Sequence, residues 1–188
     1  LQAKKIHIAK ECMNSEIEAE SIYALGTPGV IVGGVTKATS FVQVNVMGSE
    51  MSVGTEVHVG NVKPLVTELQ QTKSRNHKQQ QEAKEVEEVI AMLTKDNPEG
   101  PTDPELKEQL DKAQKDLPVL KEDIEFLEEK VAKITEEISK REKARLEVLK
   151  VLYPQVDVHI FDGYLLPLEK EQNVGLHCKE GMIVTYPL

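Results

Sequence analysis

Tryptophan is absent from this 188-residue chain, and three phenylalanines and four tyrosines are its whole stock of aromatic rings besides five histidines. Any core must therefore rest on valine, isoleucine and leucine. Basic residues are outnumbered 23 to 32 by acidic ones, and a net charge of −9 makes a field that repels a phosphate backbone, which argues against nucleic acid as a partner. No apolar run approaches the roughly 18 residues that read as a membrane span, and no signal peptide opens the chain. These absences predict a soluble, cytoplasmic protein. Cys12 and Cys178 are the only cysteines, and neither sits in a C-x-x-C pair, so metal and dithiol chemistry lack a spacing to stand on and two buried, reduced thiols are expected. The chain opens on Leu1 inside an already alternating stretch, LQAKKIHIAK, which predicts a fragment of something longer.

What is present falls into three patterns. Residues 1–61 alternate with a period of two: Ile6 and Ile8, Ile17 and Ala19, Ile22 and Ala24, Val30 and Val32, Val42 to Val46, Val57 and Val59. This predicts strands of three to five residues, with Asn14, Gly26, Pro28, Gly33, Gly34, Gly48 and Gly54 as turns. Strands so short, with no helical crossover between them, suit a β-solenoid or a small sandwich.

Residues 62–152 step by threes and fours. Val62, Leu65, Leu69, Thr72, Asn76, Gln79, Ala83, Val86, Ile90 and Leu93 form one stripe, and Leu106, Leu110, Ala113, Leu117, Leu120, Ile124, Leu127, Val131, Ile134 and Ile138 a second. DNPEGPTDP, residues 96–104, separates them, with Asp103 placed to cap the second helix and Pro104 suited to its first turn. The expectation is an antiparallel coiled-coil hairpin turning near residue 99, each arm on the order of 45 Å long. Pro118 should bend the second arm without ending it. From residue 153 to 188 the alternating pattern returns in VDVHI, GYLLPL, NVGLHC and MIVTY, so the hairpin is an insertion and the final segment completes the first β unit.

A turn near residue 99 places Gln79 beside Leu120, Asn76 beside Ile124 and Thr72 beside Leu127, leaving three apolar seam positions half covered. TKSRNHKQQQ, residues 72–81, also carries Lys73, Arg75 and Lys78 with no acid. One reading is a solvated face whose polar seam fixes register. The sharper one is a docking surface, apolar from Leu120, Ile124 and Leu127 and rimmed by Lys73, Arg75 and Lys78, for an acidic partner or a second copy of the arm.

PGVIVGG at 28–34, Lys37-Ala38, VNVMGS at 44–49 and GTEVHVG at 54–60, followed by two long helices and Tyr153-Pro154 before a valine-rich strand, resemble in that order the flagellar assembly protein A family. The resemblance implies a right-handed β-helix interrupted by a coiled-coil hairpin, with an amino-terminal part absent. It also implies a role in flagellar assembly or its control at a cell pole, and contact with the unphosphorylated glucose-specific enzyme IIA of the sugar phosphotransferase system. Met47 stands where the family has isoleucine.

Chemistry is scarce. The glycines of TPGVIVGG precede another strand and not a helix, so they cradle no phosphate and read as solenoid corners. The acidic pairs Glu87-Glu88, Glu128-Glu129 and Glu136-Glu137 lie on solvated helices, and Ser49 and Ser52 lack a nucleophile elbow. His7, His58, His159 and His177 each project from a strand opposite aliphatic neighbours; stacked rungs would align some of them into a ladder able to bind a transition metal, although outward-facing polar residues are the simpler reading. The chain thus reads as a non-catalytic scaffold and protein-interaction module without cofactors. The alternatives are a self-assembling, polymer-forming scaffold and a metal-binding or enzymatic β-solenoid.

Overall fold

The computed structural model describes residues 3–95 and 101–188. It separates into two compact units: Leu1–Pro64 with Glu137–Leu188, and Leu65–Glu136.

The first unit is a β-solenoid. Its strands are β1 (Ala3–His7), β2 (Glu11–Ala24), β3 (Val30–Met47), β4 (Thr55–Val59), β5 (Arg145–Leu152), β6 (Val156–Ile160), β7 (Gly163–Leu165), β8 (Val174–Lys179) and β9 (Met182–Pro187). All pairings from β1 to β6 are parallel. Partners lie one turn apart in sequence, 19 residues at Glu11↔Val30 and 21 at Gly34↔Thr55. The two halves of β3 have different neighbours: Gly34–Ala38 pairs with β4, and Phe41–Met47 pairs with β5. The chain therefore lays each turn across two faces, with alternate side chains meeting between them. Ile22, Val42, Val44, Val57, Val59, Leu146, Val148, Val158, Ile160 and Leu176 are fully buried there. The expectation of an all-aliphatic core is met, since no aromatic residue belongs to the buried cluster. The antiparallel pairs β5 with β8, β8 with β9, and β6 with β7 follow the last parallel turn.

Two expectations need correction. The strands are not all short, because β2 runs for 14 residues and β3 for 18. Asn14, Gly33 and Gly34 do turn the backbone, with φ of 46°, 72° and 77°, but the ladder continues through them. Gly33 N–H donates to Thr55 Oγ1 at 2.8 Å and Gly34 N–H to the Gly54 carbonyl at 3.1 Å, so the corner keeps its hydrogen bonds to the next turn. Second, residues 145–152 are strand β5 and lie outside the helical segment drawn as 62–152. RLEVLKVL fits either period over so short a run. Pairing with β3 decides it, burying Leu146, Val148 and Leu152.

The helices are α1 (Lys63–Thr94) and α2 (Pro104–Arg141). Asn61 caps the first, its Oδ1 accepting from Lys63 N–H at 3.1 Å. Asp103 caps the second, accepting from Glu105 N–H at 2.9 Å, with Pro104 at the first helical position. The expected turn near residue 99, in DNPEG, lies outside the described residues. Lys130 pairs with Glu68 at 2.8 Å, Gln79 donates to Asp123 at 2.9 Å, and Lys121 pairs with Glu87 at 2.8 Å. These partners advance along α1 as they retreat along α2, so the helices run antiparallel. α2 continues through Pro118. The thiols of Cys12 and Cys178 are free and half-buried, less covered than expected.

Candidate functional site

Two places gather residues with binding chemistry. The first is the helical pair. Its inner stripe is the one expected from spacing: Thr72 and Ala83 of α1 and Leu110, Leu127 and Ile134 of α2 are buried, while the outward positions are exposed. Leu127 corrects the idea of a half-covered stripe, because it is only 4% exposed. Thr72, expected opposite it, donates its hydroxyl to the Glu68 carbonyl at 2.8 Å, which leaves the methyl group to pack. Leu120 and Ile124 stay half-buried, and Lys73, Arg75 and Lys78 are exposed. The six residues do not converge. Arg75 and Lys78 line one shallow groove with Gln70, Gln71 and Ser74. Leu120 lines another with Val86, Val89 and Val119, walled by Glu82, Glu85 and Asp116.

The polar middle of the seam is under-satisfied. Asn76 Oδ1 and Gln79 Oε1 are buried and have no hydrogen-bond partner among the described residues. Each such orphan costs on the order of 1–3 kcal/mol. Asn76→Leu should therefore stabilise the helical pair by about 1 kcal/mol or more, read as a rise in its urea midpoint by circular dichroism at 222 nm; a fall would show that the amide is satisfied.

The second place is the outer face of β4 and β6. Residues 55–59 read TEVHV and residues 156–160 read VDVHI, and the two strands pair in register, Glu56↔Asp157 and His58↔His159. Val57, Val59, Val158 and Ile160 point inward and are fully buried, so the acid and the imidazole of each strand point outward together. The His58 and His159 rings stack with centroids 4.5 Å apart and 8° between planes. Glu56 Oε1 lies 2.5 Å from His58 Nε2. One ligand atom from each of Glu56, His58 and His159 falls within 4.8 Å of the others. Tyr164 on β7 leans on the His159 ring at 4.9 Å and donates its hydroxyl to Asp157 Oδ1 at 2.8 Å. A pocket opens over the pair, with Asn61, Lys63 and Phe161 also in its lining. Burial, and next the His58 ring beside it, hold His159 below the ordinary 6.5.

Of the four strand histidines, only these two stack on each other. His7 stacks on Tyr23 at 5.0 Å, and His177 sits 5.5 Å from Tyr186. The sequence did not show that His58 and His159 are neighbours, because about 100 residues separate the two strands. The legible signal was the repeated acid-Val-His triplet, Glu56-Val57-His58 and Asp157-Val158-His159.

Parallel turns interrupted between β4 and β5 by a long helical pair define a β-solenoid protein with a helical insertion. Over residues 1–183 the chain matches the Flagellar Assembly Protein A beta solenoid domain, and it belongs to that family. No curated protein and no solved structure matches it. Membership places the chain in flagellar assembly. No described helix is long and apolar enough to cross a membrane.

Proposed function

We propose that the chain is a non-catalytic scaffold in flagellar assembly, cytoplasmic and acting at the flagellated cell pole. Its solenoid winds right-handed, and its helices close as an antiparallel coiled-coil hairpin that presents a docking surface to a protein partner. The observation that carries this reading is the open apolar groove of Val86, Val89, Val119 and Leu120, with Val119 still 59% exposed. Exposed apolar side chains gathered in one groove favour a protein contact over solvent. Arg75 and Lys78, in their separate groove, supply a second, basic contact. Lys73, Ile124 and Leu127 support the same arm, Leu127 from inside. The partner implied by the family resemblance is the unphosphorylated glucose-specific enzyme IIA.

Calorimetric titration with the purified partner tests this. The full chain should bind the unphosphorylated form and not the phosphorylated one. Val119→Asp and the double variant Arg75→Glu with Lys78→Glu should each weaken binding at least tenfold, as loss of an interface anchor does. Replacing residues 65–136 by a short glycine-serine link should abolish it. Binding that persists without the arm overturns the reading, and concentration-dependent light scattering without any partner would favour self-assembly instead.

A further inference from the structure

We infer that Glu56, His58 and His159 form a binding site for a late first-row divalent metal ion, of which Zn2+ is the simplest representative. Two imidazoles and a carboxylate are the ligand types such ions select over Mg2+ or Ca2+, which prefer oxygen alone. The backbone does most of the positioning. Parallel pairing sets His58 directly beside His159, and alternation brings Glu56 to the same face two residues earlier. Bonds of about 2.0–2.1 Å to zinc set tetrahedral ligand atoms roughly 3.3 Å apart; the three ligand atoms now lie within 4.8 Å of one another, and side-chain rotation can open the Glu56–His58 contact and draw His159 in without moving either strand.

A bound ion would take the place of the hydrogen bond between Glu56 and His58. A second layer is also in place. Asp157 lies beside Glu56 in register, is fixed by the Tyr164 hydroxyl, and adds negative charge next to the ligands. Lys63 also lines the pocket and its positive charge opposes a cation, so affinity depends on the two carboxylates outweighing it. Three protein ligands leave at least one position for water or for a side chain of a partner, which would make the solenoid face a metal-dependent contact.

Titration of the metal-free full chain with Zn2+, followed by calorimetry and repeated with Co2+ for its visible spectrum, is the test. One ion per chain should bind, with His58→Gln, His159→Gln and Glu56→Gln each lowering affinity at least tenfold, as loss of a ligand does. His77→Gln on α1 and His177→Gln on β8 should leave it unchanged. Thermal melts of each variant check that the solenoid is intact; Glu56→Gln, at a half-exposed position, provides the ligand loss least able to disturb folding. Absence of binding, or binding unaffected by His58→Gln and His159→Gln in variants that melt like the parent, overturns the site.

Discussion

Gly34→Val lowers the stability of the solenoid by about 2–5 kcal/mol in urea, while Gly54→Ala, next to it at the same corner, shifts the midpoint within about 0.5 kcal/mol. The two glycines differ in what they do. Gly34 sits at φ 77°, where a β-branched side chain is strained, and a Cβ there would press into the backbone of Ser15 on the preceding turn. Backbone cannot swing aside as a side chain tip can, so the two turns would have to separate. They would lose hydrogen bonds such as that from Gly34 N–H to the Gly54 carbonyl, and the fit of the turns beyond them. A Cβ on Gly54 meets nothing within 4 Å. Equal losses in the two variants would show that the corner is set by composition and not by close approach.

Val158→Asp removes the cooperative unfolding transition of the solenoid. Val158 is fully buried, paired with Val57 on one side and Leu165 on the other. A carboxylate there faces aliphatic side chains, and an unpaired buried charge costs about 3–5 kcal/mol, comparable with the whole stability of many domains. The group would escape by protonating or by unfolding the strand, so the variant should recover some stability as the pH falls toward 5, where a buried carboxyl with a raised pKa becomes neutral. His159→Gln, one residue along and facing outward, should retain the transition. If Val158→Asp melted like the parent, the inward face of β6 would be misassigned.

The three patterns in the sequence were legible because each follows from local rules. Alternation marks strands, steps of three and four mark helices, and proline and glycine mark where one gives way to the other. Asp103-Pro104 was readable as a helix start for the same reason. What local rules could not convey was which strands are neighbours. Residues 17–24 and 42–46 look like separate short strands until adjacent turns hold β2 and β3 continuous through their corners. Arg145–Leu152 suits either period until β3 lies beside it. Glu56, His58 and His159 acquire a shared chemistry only when a pairing spanning about 100 residues puts two acid-Val-His triplets side by side. On the arm, spacing identified the inner stripe, but not that Leu127 would be buried opposite polar positions. The separation of Leu120 from Arg75 and Lys78 into two grooves depended on helix rotation, which a stripe of residues does not specify.

The helical insertion leaves and re-enters the solenoid at one spot. A Cβ on Gly60 would overlap that of Ala144, and the Arg141 guanidinium donates to the Asn61 carbonyl at 2.5 Å. Because the helices run antiparallel, one heptad added to each would lengthen the pair by about 10 Å at 1.5 Å per residue while preserving the pairing of the stripes. Helix length is thus a property that insertions and deletions can adjust in whole steps, and related chains should differ in it by matched multiples of seven.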